Sequence, residues 1–112
     1  MSRLVTDDMI SAALDFLATS SRDAAAARGM RVRREFMRKR ARARLMLQSD
    51  EKTATAREAW AEDHDDYVAA CEAEADAVEQ DEFLRAERNK AETVIACWQT
   101  ENANRRAGSN FR

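Results

Sequence analysis

The sequence predicts an all-α protein, and three observations carry the prediction. Proline is absent and glycine occurs only at Gly29 and Gly108, so almost nothing inside the chain forces a helix to stop. Alanine supplies 23 of the 112 residues, with Arg and Glu next in number, and all three are strong helix formers. Apolar residues also recur at three- and four-residue spacings over long stretches, as one face of a helix requires. Only 17 residues are Leu, Ile, Val or Phe, which is too few for a thick core in a chain this short. That composition excludes a large α/β enzyme. There is no 18-residue apolar run to span a membrane, and the N-terminus lacks a basic segment followed by an apolar one. A cytoplasmic protein is therefore expected, with a single helical domain over residues 1–107 and a flexible tail over 108–112.

The first helix is expected from about Asp7 to Ala18. Thr6 is its N-cap, and Asp7 and Asp8 lie where the helix dipole favours acids. Ile10, Leu14 and Leu17, with Met9, Ala13 and Phe16 beside them, make one apolar face. Thr19 to Ser21 break the pattern, and Ser20 with Asp23 resembles a capping pair. A second helix follows from about Arg22 to Gln48, with a bend expected at Gly29. Two apolar stripes run along it, Met30–Met37–Ala41–Leu45 and Val32–Phe36–Ala43–Leu47. Arg31, Arg38 and Arg42 flank them on one side, and Arg33, Arg40 and Arg44 on the other, so packing against more than one neighbour is expected. Thr55 and Glu58 fit a capping box that opens a short third helix, ending near Asp63. Asp65 is read as the cap of a fourth helix from about Asp66 to Arg106, with Gly108 as its terminator. Leu84, Ala91 and Trp98 repeat every seven residues along it, beside Val94 and Ile95. Tyr67, Cys71, Ala75 and Val78 extend the line, and the seam is poor near Asp81, where a kink or a change of partner is expected. Two long helices and two short ones thus predict a helical hairpin or bundle with coiled-coil-like packing. A homo-oligomer is the economical way to cover so long a fourth helix, which would span roughly 60 Å.

Charge is the most informative feature. The formal net charge is only -2, yet residues 1–49 carry +6 and residues 50–112 carry -8. Arg28 to Arg44 holds nine basic residues and one acid, whereas Asp50 to Glu82 holds thirteen acids and two bases. Arginine outnumbers lysine eight to one in the basic run, and its planar fork suits phosphate. Arg31, Arg33, Arg38, Arg40, Arg42 and Arg44 are therefore the candidate contacts to nucleic acid or to an acidic protein partner. With no base-reading residues identifiable, such binding should be independent of sequence and strongly salt-dependent. The opposing reading is that the acidic segment folds beside this helix and neutralises it. Both hold if one arginine flank is covered and the other left free.

Catalytic chemistry has little to draw on. His64 is the only histidine, which excludes a two-histidine metal site within one chain. Asp63, Asp65 and Asp66 around it are better read as helix-end residues than as cation ligands. Cys71 and Cys97 read as small core residues of a reducing compartment. Met30, Met37 and Met46 read as core filler in preference to an adaptable groove, and Trp60 and Trp98 as packed residues in preference to interface anchors. No phosphate-binding loop, dinucleotide fingerprint, nucleophile elbow or zinc spacing is present. A non-enzyme without cofactor or metal is expected.

Thr55-Ala56-Arg57-Glu58-Ala59-Trp60-Ala61, His64 and Tyr67, Ile95 through Arg106, and the preceding Ala43-Arg44-Leu45-Met46-Leu47 together resemble small helical proteins encoded by phages and prophages. The resemblance covers roughly Arg40 to Arg106. It implies a phage accessory role beside DNA recombination or replication, inside the host cell, and assigns no functional residues. The expected function is accordingly an accessory factor acting by binding through the basic helix. An alternative is an inhibitor of a host nuclease or defence complex, working through a DNA-mimicking acidic face that includes Glu72, Glu74, Asp76 and Glu79. A third is an assembly protein without nucleic-acid contact.

Overall fold

The computed structural model describes residues 3–110. These residues form four α-helices, α1 (Asp7–Thr19), α2 (Ser21–Gln48), α3 (Ala54–Glu62) and α4 (Asp65–Asn110), with no strand among them. The expected all-α class with two long and two short helices is the one found. Among the described residues no helix is long and apolar enough to cross a membrane.

The helix ends follow side-chain chemistry that is only partly visible in the sequence. Thr6 caps α1 as expected, its hydroxyl accepting from the Met9 amide at 3.2 Å. For α3 the cap is Thr53, not Thr55: Thr53 has extended backbone and its hydroxyl accepts from the Ala56 amide at 3.1 Å. At the start of α4 the unexpected partner is His64, whose Nδ1 accepts from the Asp66 amide at 3.1 Å while its carbonyl accepts from Tyr67 and Val68. Asp65 is thus the first helical residue, not the cap. The Ser20 hydroxyl does not cap α2 either, being occupied by Arg88. Neither glycine stops a helix. α2 runs unbroken through Gly29, and α4 continues past Gly108 and Ser109 to Asn110, with no glycine at positive φ. Of the expected tail, Phe111 and Arg112 lie outside the described residues.

The chain packs as two compact units, Met1–Ala24 with Phe83–Arg112, and Ala25–Glu82. α4 therefore changes partner after Glu82, next to the apolar-poor stretch around Asp81 where the sequence leads one to expect such a change. In the first unit α1 and α4 run antiparallel. Glu101 accepts from the backbone amides of Leu4 at 3.0 Å and Val5 at 3.4 Å, and Arg88 donates to the Leu17 carbonyl at 3.0 Å and the Ser20 hydroxyl at 2.6 Å. Each contact satisfies polar groups at an end of α1, the carbonyl at Leu17 being one that no helical turn reaches. Val5, Ile10, Ala13 and Ala91 are buried in this unit, with Leu84, Ile95 and Trp98 half-buried. Leu14 and Met9, expected on the buried face, are largely exposed.

In the second unit, besides half-buried Gly29, Arg42 and Met46, the buried and half-buried residues of α2 are Ala27, Arg31, Arg34, Arg38, Ala41 and Leu45. Their spacing alternates four and three, the period of a coiled-coil seam. The facing residues of α4 are Tyr67, Ala70, Glu74, Ala77 and Asp81, with the same alternation. This corrects the first expected stripe. Ala41 and Leu45 are buried, but Met30 and Met37 are 39% and 50% exposed, and arginines hold the seam positions. It also corrects the second. Val32, Phe36 and Leu47 are large exposed residues and Ala43 is exposed with them. The seam mixes alanine with arginine and acidic residues, with Ala61 of α3 fully enclosed and Leu45 its one large side chain that is almost completely buried. Leu45→Ala should therefore cost about 2–5 kcal/mol, whereas Leu47→Ala, at a largely exposed site, should stay within about 0.5 kcal/mol. Urea denaturation of both variants checks this, and equal costs would contradict the assigned seam.

Candidate nucleic-acid interface

The six candidate arginines share one helix but do not share one fate. In the seam, Arg31 Nη1 meets Asp81 Oδ2 at 3.1 Å and Glu82 Oε1 at 2.7 Å. One heptad later, Arg38 Nε donates to Glu74 Oε2 at 2.7 Å. The partners fall by seven in number as the arginines rise by seven, so the two contacts show α2 and α4 running antiparallel in one register. Arg42 turns instead toward α3, where Nε donates to Glu62 at 3.1 Å and Nη2 lies 3.6 Å from Glu58. Glu58 and Glu62 are one turn apart on α3, so both reach the same guanidinium.

These contacts reinforce the charge on the seam arginines. Arg31 is raised above the ordinary arginine value, first by its hydrogen bond to Glu82 and then by that to Asp81. Arg38 is raised by Glu74 first and the Tyr67 hydroxyl second. A raised folded-state pKa means that the stabilisation is complete below the unfolded value and lost only as pH climbs through the raised one. Both groups titrate far above neutrality, so this contribution is constant across physiological pH.

Arg33, Arg40 and Arg44 lie on the other flank. All three are exposed, and none has an ion pair or side-chain hydrogen bond with another described residue. At about 1.5 Å of rise per residue, they are spaced roughly 10 Å and 6 Å along the helix. The neighbouring Lys39 is occupied by Glu35 at 3.1 Å, one turn away on the same helix. What this flank offers is an array of planar, permanently charged donors pointing to solvent, suited to phosphate oxygens. Arg34, absent from the sequence-derived candidates, is half-buried in the seam. The four-three alternation through Ala27, Arg31, Arg34, Arg38, Ala41 and Leu45 is the signal that places Arg31 and Arg38 in the seam and Arg33, Arg40 and Arg44 outside it, while Arg42, engaged by α3, lies off that line.

The acidic candidates divide in the same way. Glu74 is turned into the seam and bound by Arg38, while Glu72, Asp76 and Glu79 are exposed on α4 without an ion pair. The four do not form one face. Elsewhere, Trp60 is 37% exposed and sits 5.4 Å, ring centre to ring centre, from His64. Cys71 and Cys97 are free and half-buried, and among the described residues no group of three His, Cys, Asp or Glu is placed to hold a metal ion.

No protein-family model, curated protein or solved structure matches this chain. The division of the arginines is testable on the chain itself. Arg38→Ala strands the half-buried Glu74 without its partner and should lower the urea midpoint, whereas Arg40→Ala should leave stability within about 0.5 kcal/mol. Equal midpoints would contradict the division.

Proposed function

We propose that this chain acts by binding, holding nucleic acid through its phosphate backbone on the Arg33–Arg40–Arg44 face of α2. One observation carries the reading: the acidic half of the chain occupies Arg31, Arg38 and Arg42 and leaves three guanidinium groups on one flank without a carboxylate. An exposed cation gains little from a surface ion pair, but several cations in a row gain from releasing the counterions condensed on a nucleic acid. Arginine, not lysine, at all three positions suits phosphate recognition. Because the face offers backbone contacts and no identifiable base-edge reader, binding is independent of sequence. A role in phage recombination or replication belongs to this proposal through the resemblance alone.

Three phosphate contacts make a weak site. Assembly of several copies, the homo-oligomer expected from the sequence, would multiply the face and raise avidity without new chemistry. The competing reading, mimicry of nucleic acid by the acidic face, keeps Glu72, Asp76 and Glu79 but loses Glu74 to Arg38. Three solvated carboxylates on a helix need no partner to account for them.

Fluorescence anisotropy with a labelled oligonucleotide at low salt tests the proposal. Three neutralised phosphates predict a slope of log affinity against log salt of about -2 to -3. Arg33→Glu, Arg40→Glu and Arg44→Glu together should abolish binding, while charge reversal of Glu72, Asp76 and Glu79 should not weaken it. Binding that survives the arginine reversals would overturn the assignment.

A further inference from the structure

The flank that carries the free arginines also carries apolar side chains that the described residues leave largely exposed. Phe36 is 63% exposed, Val32 61% and Leu47 88%. Residues three and four apart are neighbours on a helix surface. Phe36 therefore lies between Arg33, three residues before it, and Arg40, four residues after, with Val32 four residues before and Arg44 one turn beyond Arg40. The Ala27–Leu45 seam points the opposite way, so this ring is not part of the hairpin's own packing. Lys39, one turn from Glu35, is tied to that residue, and no carboxylate answers the arginines beside the ring.

The occupant of such a face needs negative charge and flat apolar surface together. Duplex nucleic acid supplies the charge but keeps its bases stacked inside, so it leaves Phe36 with nothing to cover it. A single strand supplies both, because its unpaired bases expose their ring faces. A second copy of α2 is excluded by charge. In either direction it would bring two unmasked Arg33–Arg40–Arg44 rows to one interface, and antiparallel pairing would set each arginine row against its own copy. We infer that this face takes single-stranded nucleic acid in preference to duplex, with a base stacked on Phe36 and the flanking phosphates held by Arg33, Arg40 and Arg44. The inference rests on the reading of α2 as the phosphate-binding face and adds the strand preference to it. Val32 and Leu47 extend the apolar floor along the same side of the helix.

Anisotropy titrations of the whole chain with labelled oligothymidylate and with a mixed-sequence duplex of equal length, at one low salt concentration, test this. The wild-type chain should bind the single strand more tightly. Phe36→Ala should weaken single-strand binding by roughly 5- to 100-fold, the range that loss of one base–aromatic stack spans, and leave duplex binding and the helical circular dichroism unchanged. Phe36→Trp should restore the single-strand affinity. Equal affinity for the two forms, or a Phe36→Ala effect shared equally by both, overturns the strand preference. If the triple arginine reversal still abolishes binding in that case, the phosphate-binding reading stands without it, whereas binding of neither form by the wild-type chain overturns both. A wild-type sedimentation mass above the monomer that falls to the monomer value in Phe36→Ala would show a second copy on the ring and overturn the inference as well.

Discussion

The antiparallel pairing of α2 with α4 across a seam poor in large apolar side chains is the constraint on which the second unit depends. Alanine fills much of that seam, and Leu45 is its one nearly enclosed large residue. Apolar shape alone would discriminate weakly between registers of two such alanine-rich helices. Arg31 and Arg38, one heptad apart, meet Asp81 and Glu74, also one heptad apart, and this match supplies the missing discrimination. A slip of one heptad would break both pairs, form at most one crossed pair (Arg31 with Glu74, or Arg38 with Asp81) and strand the remaining arginine and carboxylate. Because removing charges from water offsets much of their attraction, the pairs act chiefly by penalising the wrong alignment, while burial of Ala41, Leu45, Ala61 and Ala77 supplies the net stabilisation.

Fixing that register also sorts the arginines. A helix with basic residues on both flanks, packed along a seam that takes in one flank, turns the other to solvent. Arg42 joins the engaged set because α3 folds back beside the end of α2 and offers two carboxylates one turn apart. Arg33, Arg40 and Arg44 have no such neighbour. The acidic half of the chain therefore acts as an internal mask for part of the basic run, and the nearly neutral net charge conceals an exposed basic flank. The same geometry leaves Phe36 outside, next to the unmasked cations.

The sequence made the helices legible because proline is missing and the apolar period is long. Thr6 could be read as a cap because an apolar-periodic run starts directly behind it. The cap of α3 was harder, since Thr53 and Thr55 both fit locally and only the path of the Ser49–Lys52 connector decides between them. Gly108 was misleading, because a glycine ends a helix when the chain needs positive φ there, and here it does not. The two flanks of α2 were legible as flanks. What the sequence did not show is that the Met30–Met37 line is not the seam: arginine stems lie there with their heads on carboxylates, and a search for apolar residues passes over them. The partners of Arg31 and Arg38 depend on a register between residues 36 to 51 positions apart, information that no local window holds. Glu74, grouped with Glu72, Asp76 and Glu79 by proximity in sequence, was separated from them by the same register.

The central claim is that α2 carries two chemically distinct sets of arginines, and nuclear magnetic resonance of the arginine Nε–H groups tests it most directly. Solvent exchange should be slow at the Nε–H groups of Arg38 and Arg42, which donate to Glu74 and Glu62, and fast at those of Arg33, Arg40 and Arg44. On addition of a single-stranded oligonucleotide the fast set should slow and shift while the slow set stays in place. Uniform exchange across all five groups, or an oligonucleotide response led by Arg38 and Arg42, would contradict it.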